Sequence, residues 1–200
     1  MLMAIRKLIK EKDGSIPALE RFQIKEAILR LGSLKEQALV AFLYLSGCRI
    51  SEVVRFTKHK ELAGEPILKE QIEVRPEVVI IYNVRILKLK DPRLRKSIPI
   101  PRNNIEAFFI DIFLKYVETL PSLKSPLWDH TRKWAYETLA KVELFPHLLR
   151  HSRVTSLVRD YNFTTARLMQ FIGWKDSNSS SHYTHLNVGD ITEYRLKAKL

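Results

Sequence analysis

A single β-branched stretch, Glu77-Val-Val-Ile-Ile-Tyr-Asn-Val-Arg-Ile-Leu-Lys-Leu-Lys90, stands between two long segments whose apolar residues recur at helical spacing. β-branched side chains crowd the preceding turn of a helix and sit well on a pleated strand, so this stretch has to pair with something extended. The nearest partner is Arg95-Lys-Ser-Ile-Pro-Ile100, and Asp91-Pro92-Arg93 between them has the fixed φ and the wet charges of a turn. The pattern predicts a β-hairpin. Ile67 to Arg75 offers a further short strand, with Pro76 interrupting the run. The expected fold class is α+β, predominantly α-helical, with a small antiparallel sheet of about three strands in residues 67–100.

Helical periodicity fills the rest. Between Ile16 and Arg55, Phe22, Ala27, Ile28 and Leu31 form one stripe and Leu39, Phe42, Leu43 and Leu45 another, which predicts two helices broken near Gly32-Ser33. Ser46-Gly47 interrupts the pattern, and a short helix can start near Arg49 and carry Glu52, Val53 and Val54. After Pro101, Ile105, Phe108, Phe109, Ile112 and Phe113 line one face of a helix that ends at Leu120-Pro121. A helix over Thr131 to Lys141 follows. Pro146 suits the first turn of the next, which carries Leu148, Leu149, Val154, Leu157 and Val158 inward. A short helix from Thr165 to Ile172 stops at Gly173, Asp176 to Ser181 reads as loop, and the tail from Asp190 reads as a short charged helix.

A chain of 200 residues, 46% hydrophobic, can bury one good core. Its net charge of +12, from 34 Lys and Arg against 22 acidic residues, attracts polyanions, nucleic acid first, although charge alone does not distinguish a nucleic-acid binder from a merely basic domain. The lone Cys48 excludes an internal disulfide and a cysteine-based zinc cluster, and reads as a small buried residue. No apolar run approaches the roughly 18 residues that span a bilayer, and the N-terminus is too short and charged for a secretory signal. A cytoplasmic protein with no membrane partner is expected.

The chemistry-bearing residues collect in two places. His147 and Arg150 lie three apart on one predicted helix and project from the same face. Arg49 lies two residues after Gly47 at the end of an apolar helix, with Glu52 at the offset that lets a carboxylate orient a guanidinium. Arginine suits a phosphate because its planar fork makes bidentate contacts. Tyr183 lies in Ser179-Ser-Ser-His-Tyr-Thr-His185, where serines occupy the helical neighbours that a core tyrosine fills with aliphatics, so its hydroxyl is expected to be exposed. A phenol with a pKa of about 10 needs nearby positive charge and a proton acceptor to attack phosphorus. Arg49, Arg150 and His147 could supply both. Taken one at a time, each of these residues reads equally as an ordinary surface side chain.

Together they resemble the tyrosine recombinases, a family that includes phage integrases and the Xer proteins. Ser46-Gly-Cys-Arg-Ile-Ser-Glu52 looks like the box around that family's first arginine, and Phe145-Pro-His-Leu-Leu-Arg-His-Ser152 like its second. Phe171-Ile-Gly-Trp174, followed by Tyr183-Thr-His185, looks like its glycine motif and nucleophile. The resemblance implies that Arg49 and Arg150 clamp a scissile phosphate of double-stranded DNA and that His147 assists proton transfer. Trp174 then donates its indole N–H where most members have histidine, and Tyr183 attacks to give a 3′-phosphotyrosyl link, without metal, ATP or other cofactor. Glu52 and His151 are implied as supporting residues, and His185 as supporting or structural. A hairpin lysine acts as leaving-group acid in the family; Lys90 is the first candidate and Lys88 the second, with a solvated strand lysine the alternative for each. The Gly-Lys-Gly turn usual in the family is replaced here by Asp91-Pro92.

The same resemblance sets the expected organisation: a basic arm or residual linker over residues 1–15, a catalytic domain over 16–185, and a tail helix over 186–200 docking in cis or in trans. The family's N-terminal core-binding domain is expected to be absent from this chain. Self-association as a tetramer on DNA, in a prokaryotic cell or its virus or plasmid, is implied as well. Two rival readings share the residues: a topoisomerase of the type IB kind, and a non-catalytic DNA-binding protein of the same fold.

Overall fold

Ser33 separates the first two helices, because its hydroxyl accepts from the Glu36 N–H at 3.3 Å and so caps a new helix start. In the computed structural model, which describes residues 18–54, 66–86 and 94–174, these helices are α1, Arg21–Leu29, and α2, Leu34–Ser46. α3, Ile50–Val53, follows at once. A 3-10 turn, Lys69–Gln71, leads into strands β1 (Ile72–Val74), β2 (Val78–Arg85) and β3 (Arg95–Pro101). Four more helices complete the described chain: α4 (Ala107–Glu118), α5 (Arg132–Lys141), α6 (Pro146–Tyr161) and α7 (Thr165–Ile172). None of the described helices is long and apolar enough to cross a membrane.

α2 is the axis of the core. Every residue from Ala38 to Ser46 is buried, so this helix is packed on all sides rather than on one stripe, with α4 and α6 its main neighbours. Phe42 meets Phe113 of α4 with ring centroids 5.0 Å apart and Trp128 at 5.4 Å. Trp128 is buried with its polar end satisfied, its indole N–H donating to the Lys35 carbonyl at 3.2 Å. The sequence stripes are corrected in two places. Phe22 is 61% exposed and Ile24 takes its place inside. Ile105 is 50% exposed and precedes α4, whose buried face is Phe109, Ile110, Phe113, Tyr116 and Val117.

The sheet is antiparallel in the order β1-β2-β3, as the β-branched pattern predicts, although the expected third strand shrinks to Ile72–Val74 behind the 3-10 turn. Its register holds a feature that alternation does not show. Ile81 faces Ile98, yet Val84 faces Lys96, so β2 spends one more residue than β3 between the two pairs. That extra residue makes a β-bulge at Tyr82-Asn83, with Asn83 in the left-handed region at φ +55°. Consequently the inward set changes parity from Val79 and Ile81 to Val84 in β2 and Ile86 just after it, while β3 keeps Ile100, Ile98 and Lys96 inward throughout. The hairpin tip, residues 87–93, lies outside the described residues, and so do the predicted turn Asp91-Pro92-Arg93 and both candidate lysines, Lys88 and Lys90.

Candidate active site

Gly47 fixes the first half of the site. α2 ends there because Gly47 adopts φ +58°, a left-handed cap whose N–H donates to the Leu43 carbonyl at 3.1 Å. φ favours glycine here, and a Cβ would lie 2.7 Å from Ile172 Cδ1, so that terminal methyl would have to shift to admit one. The chain then turns through Cys48 into Arg49, the residue that caps α3. Glu52 holds this residue twice. One carboxylate oxygen accepts from the Arg49 main-chain N–H at 2.9 Å, and the other from its guanidinium Nη1, also at 2.9 Å. The Glu52 side chain is fully buried, while that of Arg49 keeps 20% of its surface exposed. The expected support of the first arginine by Glu52 is therefore a direct, doubly bonded contact.

Arg150 completes the pairing from α6. Pro146 occupies the first turn of that helix as predicted, which places His147 and Arg150 on one face, with His147 exposed, His151 half-buried and Arg150 only 8% exposed. The Arg150 guanidinium donates from Nη1 to the Gly47 carbonyl at 2.5 Å and from Nη2 to the Ile172 carbonyl at 3.3 Å. These bonds fix its plane against the end of α2 on one side and the end of α7 on the other. Its central carbon also lies 5.9 Å from the centre of the Trp174 ring, within reach of cation–π attraction. Trp174 is held in turn by Gly173, which ends α7 at φ +77°, and by its own N–H donating to the Met169 carbonyl at 3.0 Å. Two guanidinium groups a hundred positions apart in the sequence are thus anchored close together, Arg150 on the Gly47 carbonyl and Arg49, two residues after Gly47, on Glu52.

Lys96 is the member of this cluster that the sequence reading passed over. It is 7% exposed on the inward face of β3, its ammonium donating to the Ile172 carbonyl at 3.1 Å and the Phe171 carbonyl at 3.4 Å, and lying 3.8 Å from the Glu52 carboxylate. Alternation carried the signal, since Lys96, Ile98 and Ile100 share one parity and a charged residue in a buried series needs a partner inside. Cys48 sits beside this group and is buried; burial pushes its thiol pKa up, against the pull of the nearby Lys96 charge. It is a packing residue. Tyr183 and His185 lie outside the described residues. Among the described residues no cluster of His, Cys, Asp and Glu is placed to hold a metal ion.

The arrangement sets the two arginines and Lys96 close together around the ends of α2 and α7. The model of the phage integrase family matches residues 19–189, well over half of the chain. A curated relative, the tyrosine recombinase XerD of Staphylococcus aureus, is 24% identical over 174 residues, which covers 81% of this chain and 54% of the relative. The chain therefore spans about half the length of that relative. Among solved structures, the XerH site-specific recombinase bound to its difH substrate superimposes with a TM-score of 0.58 at 16% identity, over 96% of this chain and 60% of that one. The catalytic domain of bacteriophage HP1 integrase gives 0.53 at 14% identity, over 86% and 89%.

Proposed function

The chain belongs to the phage integrase family, and from that premise we propose that it is the catalytic domain of a site-specific recombinase that cuts and rejoins double-stranded DNA through Tyr183. The observation that carries the reading is the joint anchoring of Arg49 and Arg150 around Gly47, because two fixed guanidinium forks are what a phosphodiester passing through a pentacoordinate state requires. In this reading the Tyr183 oxygen forms a bond to phosphorus and the bond from phosphorus to the 5′-oxygen breaks. The phenol's proton passes to His147. The departing 5′-oxygen takes a proton from Lys90, or from Lys88 in its place. The phosphotyrosyl ester conserves the energy of the broken bond, so a 5′-hydroxyl can reverse the step without ATP or metal. Trp174 completes the donor set around the phosphate, with His151 in a supporting place behind it.

Exchange between two duplexes breaks four strands, and each break occupies one tyrosine, so a tetramer on DNA is part of the proposal, as is a cytoplasmic location. The curated relative is named a recombinase, which favours strand exchange over plain relaxation of supercoils. The test uses the full chain with a pool of nicked duplexes of randomised sequence, in which the short cleaved fragment diffuses away and traps the adduct. A denaturant-resistant protein–DNA adduct is expected from the wild type and none from Tyr183→Phe, with DNA binding retained. An undiminished adduct in that variant would refute the assignment.

A further inference from the structure

Lys96 occupies a position that links every anchored cation of the site. Its ammonium shares the Ile172 carbonyl with Arg150, at 3.1 and 3.3 Å respectively, and approaches to 3.8 Å the carboxylate that holds Arg49. Both groups have reason to accept it. The Phe171 and Ile172 carbonyls end α7, where no further helical N–H is available to them and the helix dipole places partial negative charge. Glu52 is a buried carboxylate whose charge one arginine on its own leaves incompletely surrounded. The lysine's stem passes beside Gly173, its Cδ 3.5 Å from where a Cβ would stand, which is ordinary van der Waals contact. Lys96 also lies on the strand that leaves the hairpin tip, paired across the sheet with Val84 just after the bulge.

We propose that Lys96 is a positioning residue: it ties the hairpin strand to both arginine anchors, so that Arg49, Arg150 and the hairpin reach a bound phosphate in one fixed relation. The role rests on the recombinase reading, but the positioning itself is a property of the unbound protein. The Lys96 ammonium is engaged by protein acceptors, the Phe171 and Ile172 carbonyls and the Glu52 carboxylate, and its effect on a bound phosphate passes through them. Losing it would loosen both guanidinium groups together, and a misplacement of about 1 Å in a catalytic constellation can cost on the order of 100-fold in rate.

The test compares Lys96→Met, which keeps the stem and removes the charge, with Lys96→Arg, which keeps charge and donors. Hydrogen exchange of the Arg49 and Arg150 guanidinium N–H groups is followed by nitrogen-15 NMR of the full chain without DNA, each signal assigned by an Arg→Lys substitution. The expected result is exchange at least about 10-fold faster at both arginines in Lys96→Met, with wild-type rates in Lys96→Arg. On the nicked duplex pool, Lys96→Met should lower the adduct rate at saturating DNA by about 10- to 100-fold while the half-saturating concentration stays within about threefold. Its effect should be non-additive with that of Glu52→Gln. Unchanged exchange at both arginines in a folded Lys96→Met, or full additivity with Glu52→Gln, overturns the proposal. Should the methionine variant not fold, Lys96→Arg decides: protected arginines support the role, and loss of protection in a folded Lys96→Arg overturns it. A wild type that forms no adduct would sink the recombinase reading while leaving the exchange measurement to decide this one.

Discussion

Replacing Glu106 by alanine strands a buried cation one helical turn beyond the site arginine. Arg153 follows Arg150 on α6 and is fully buried, and its Nη1 donates to Glu106 Oε1 at 2.6 Å. That same oxygen accepts from Arg21 Nη2 at 3.2 Å and from the Tyr161 hydroxyl at 3.0 Å, so three donors converge on one atom. The Arg153 guanidinium is otherwise surrounded by ring faces, those of Tyr44, Tyr161 and Phe171 at 5.6, 5.7 and 5.8 Å. Those faces attract a cation without neutralising it. Arg21 would keep Asp160, at 2.7 Å and partly in water, but Arg153 has no second carboxylate within salt-bridge distance among the described residues. Its Nε and Nη2 already lack hydrogen-bond partners in the described structure, as does the second Glu106 oxygen. Glu106→Ala should therefore cost about 3–5 kcal/mol, the range for breaking a buried pair from one side. Urea unfolding at fixed pH measures this, and a loss of that size takes a large part of the roughly 5–15 kcal/mol that holds a domain together. The joint replacement Glu106→Leu with Arg153→Met should be less damaging than Glu106→Ala alone, because it removes both buried charges and fills their space. A Glu106→Ala cost below about 1 kcal/mol with an unchanged denaturant slope would refute the reasoning, and so would a double variant no more stable than the single.

Gly47→Ala should lower the melting temperature and the adduct rate together: the left-handed φ costs about 1–2 kcal/mol, the 2.7 Å approach to Ile172 Cδ1 adds overpacking, and the carbonyl that anchors Arg150 moves. A variant with unaltered melting and rate would show that α7 yields freely. His130 gives a pH signature. Burial, and then the nearby Lys35, depresses its pKa, and its ring packs 4.1 Å from that of Trp134. A histidine depressed in the folded state adds stability that is fully present above its unfolded pKa of about 6.5 and is lost as pH falls from there through the folded value. His130→Phe should thus flatten the fall in stability below about pH 6.5 in a urea series, and an equally steep fall in the variant would reject the assignment.

What could be read from the sequence depended on whether one local pattern decided the outcome. β-branched residues fixed the hairpin and Pro146 fixed the start of α6, since each acts through its own backbone preference. The bulge at Asn83 was hidden because Val-Val-Ile-Ile before it and Val-Arg-Ile after it offer aliphatic residues in either parity, so only pairing with β3 exposes the shift. Phe22 and Ile105 went astray for a related reason: a short amphipathic helix tolerates a rotation of its stripe, and packing against α2 chooses between the options. At the site, Arg49, Glu52, Arg150 and Trp174 converge as the motifs suggested, whereas Tyr183, Lys88 and Lys90 fall outside the described residues. Glu106 and Arg153 could not be paired from sequence, being 47 positions apart with nothing local to mark either as buried.

The means of anchoring decides how much charge the site keeps for a phosphate. A carboxylate partner fixes a cation and cancels its charge, whereas a main-chain carbonyl fixes it and leaves nearly all of the charge in place. Arg150 donates to the carbonyls of Gly47 and Ile172 and Lys96 to those of Phe171 and Ile172, whereas Glu52 is a carboxylate bonded to Arg49 and near Lys96. α7 is suited to this because its final carbonyls need donors and carry the negative end of the helix dipole. It follows that Glu52 has two opposed effects, orienting Arg49 while subtracting from the field that attracts DNA. Glu52→Gln separates them. Removing one negative charge strengthens long-range attraction, so salt-dependent binding to random-sequence duplex should be equal to or tighter than wild type. The amide still has an oxygen for one Arg49 donor but cannot accept both bonds, and a charged acceptor is about twice as strong as a neutral one. The adduct rate at saturating DNA should accordingly fall by roughly one to two decades, somewhat less than the two to three expected for loss of a whole donor. Weaker binding together with an unchanged rate would reverse both signs and show that Glu52 holds the fold rather than the arginine.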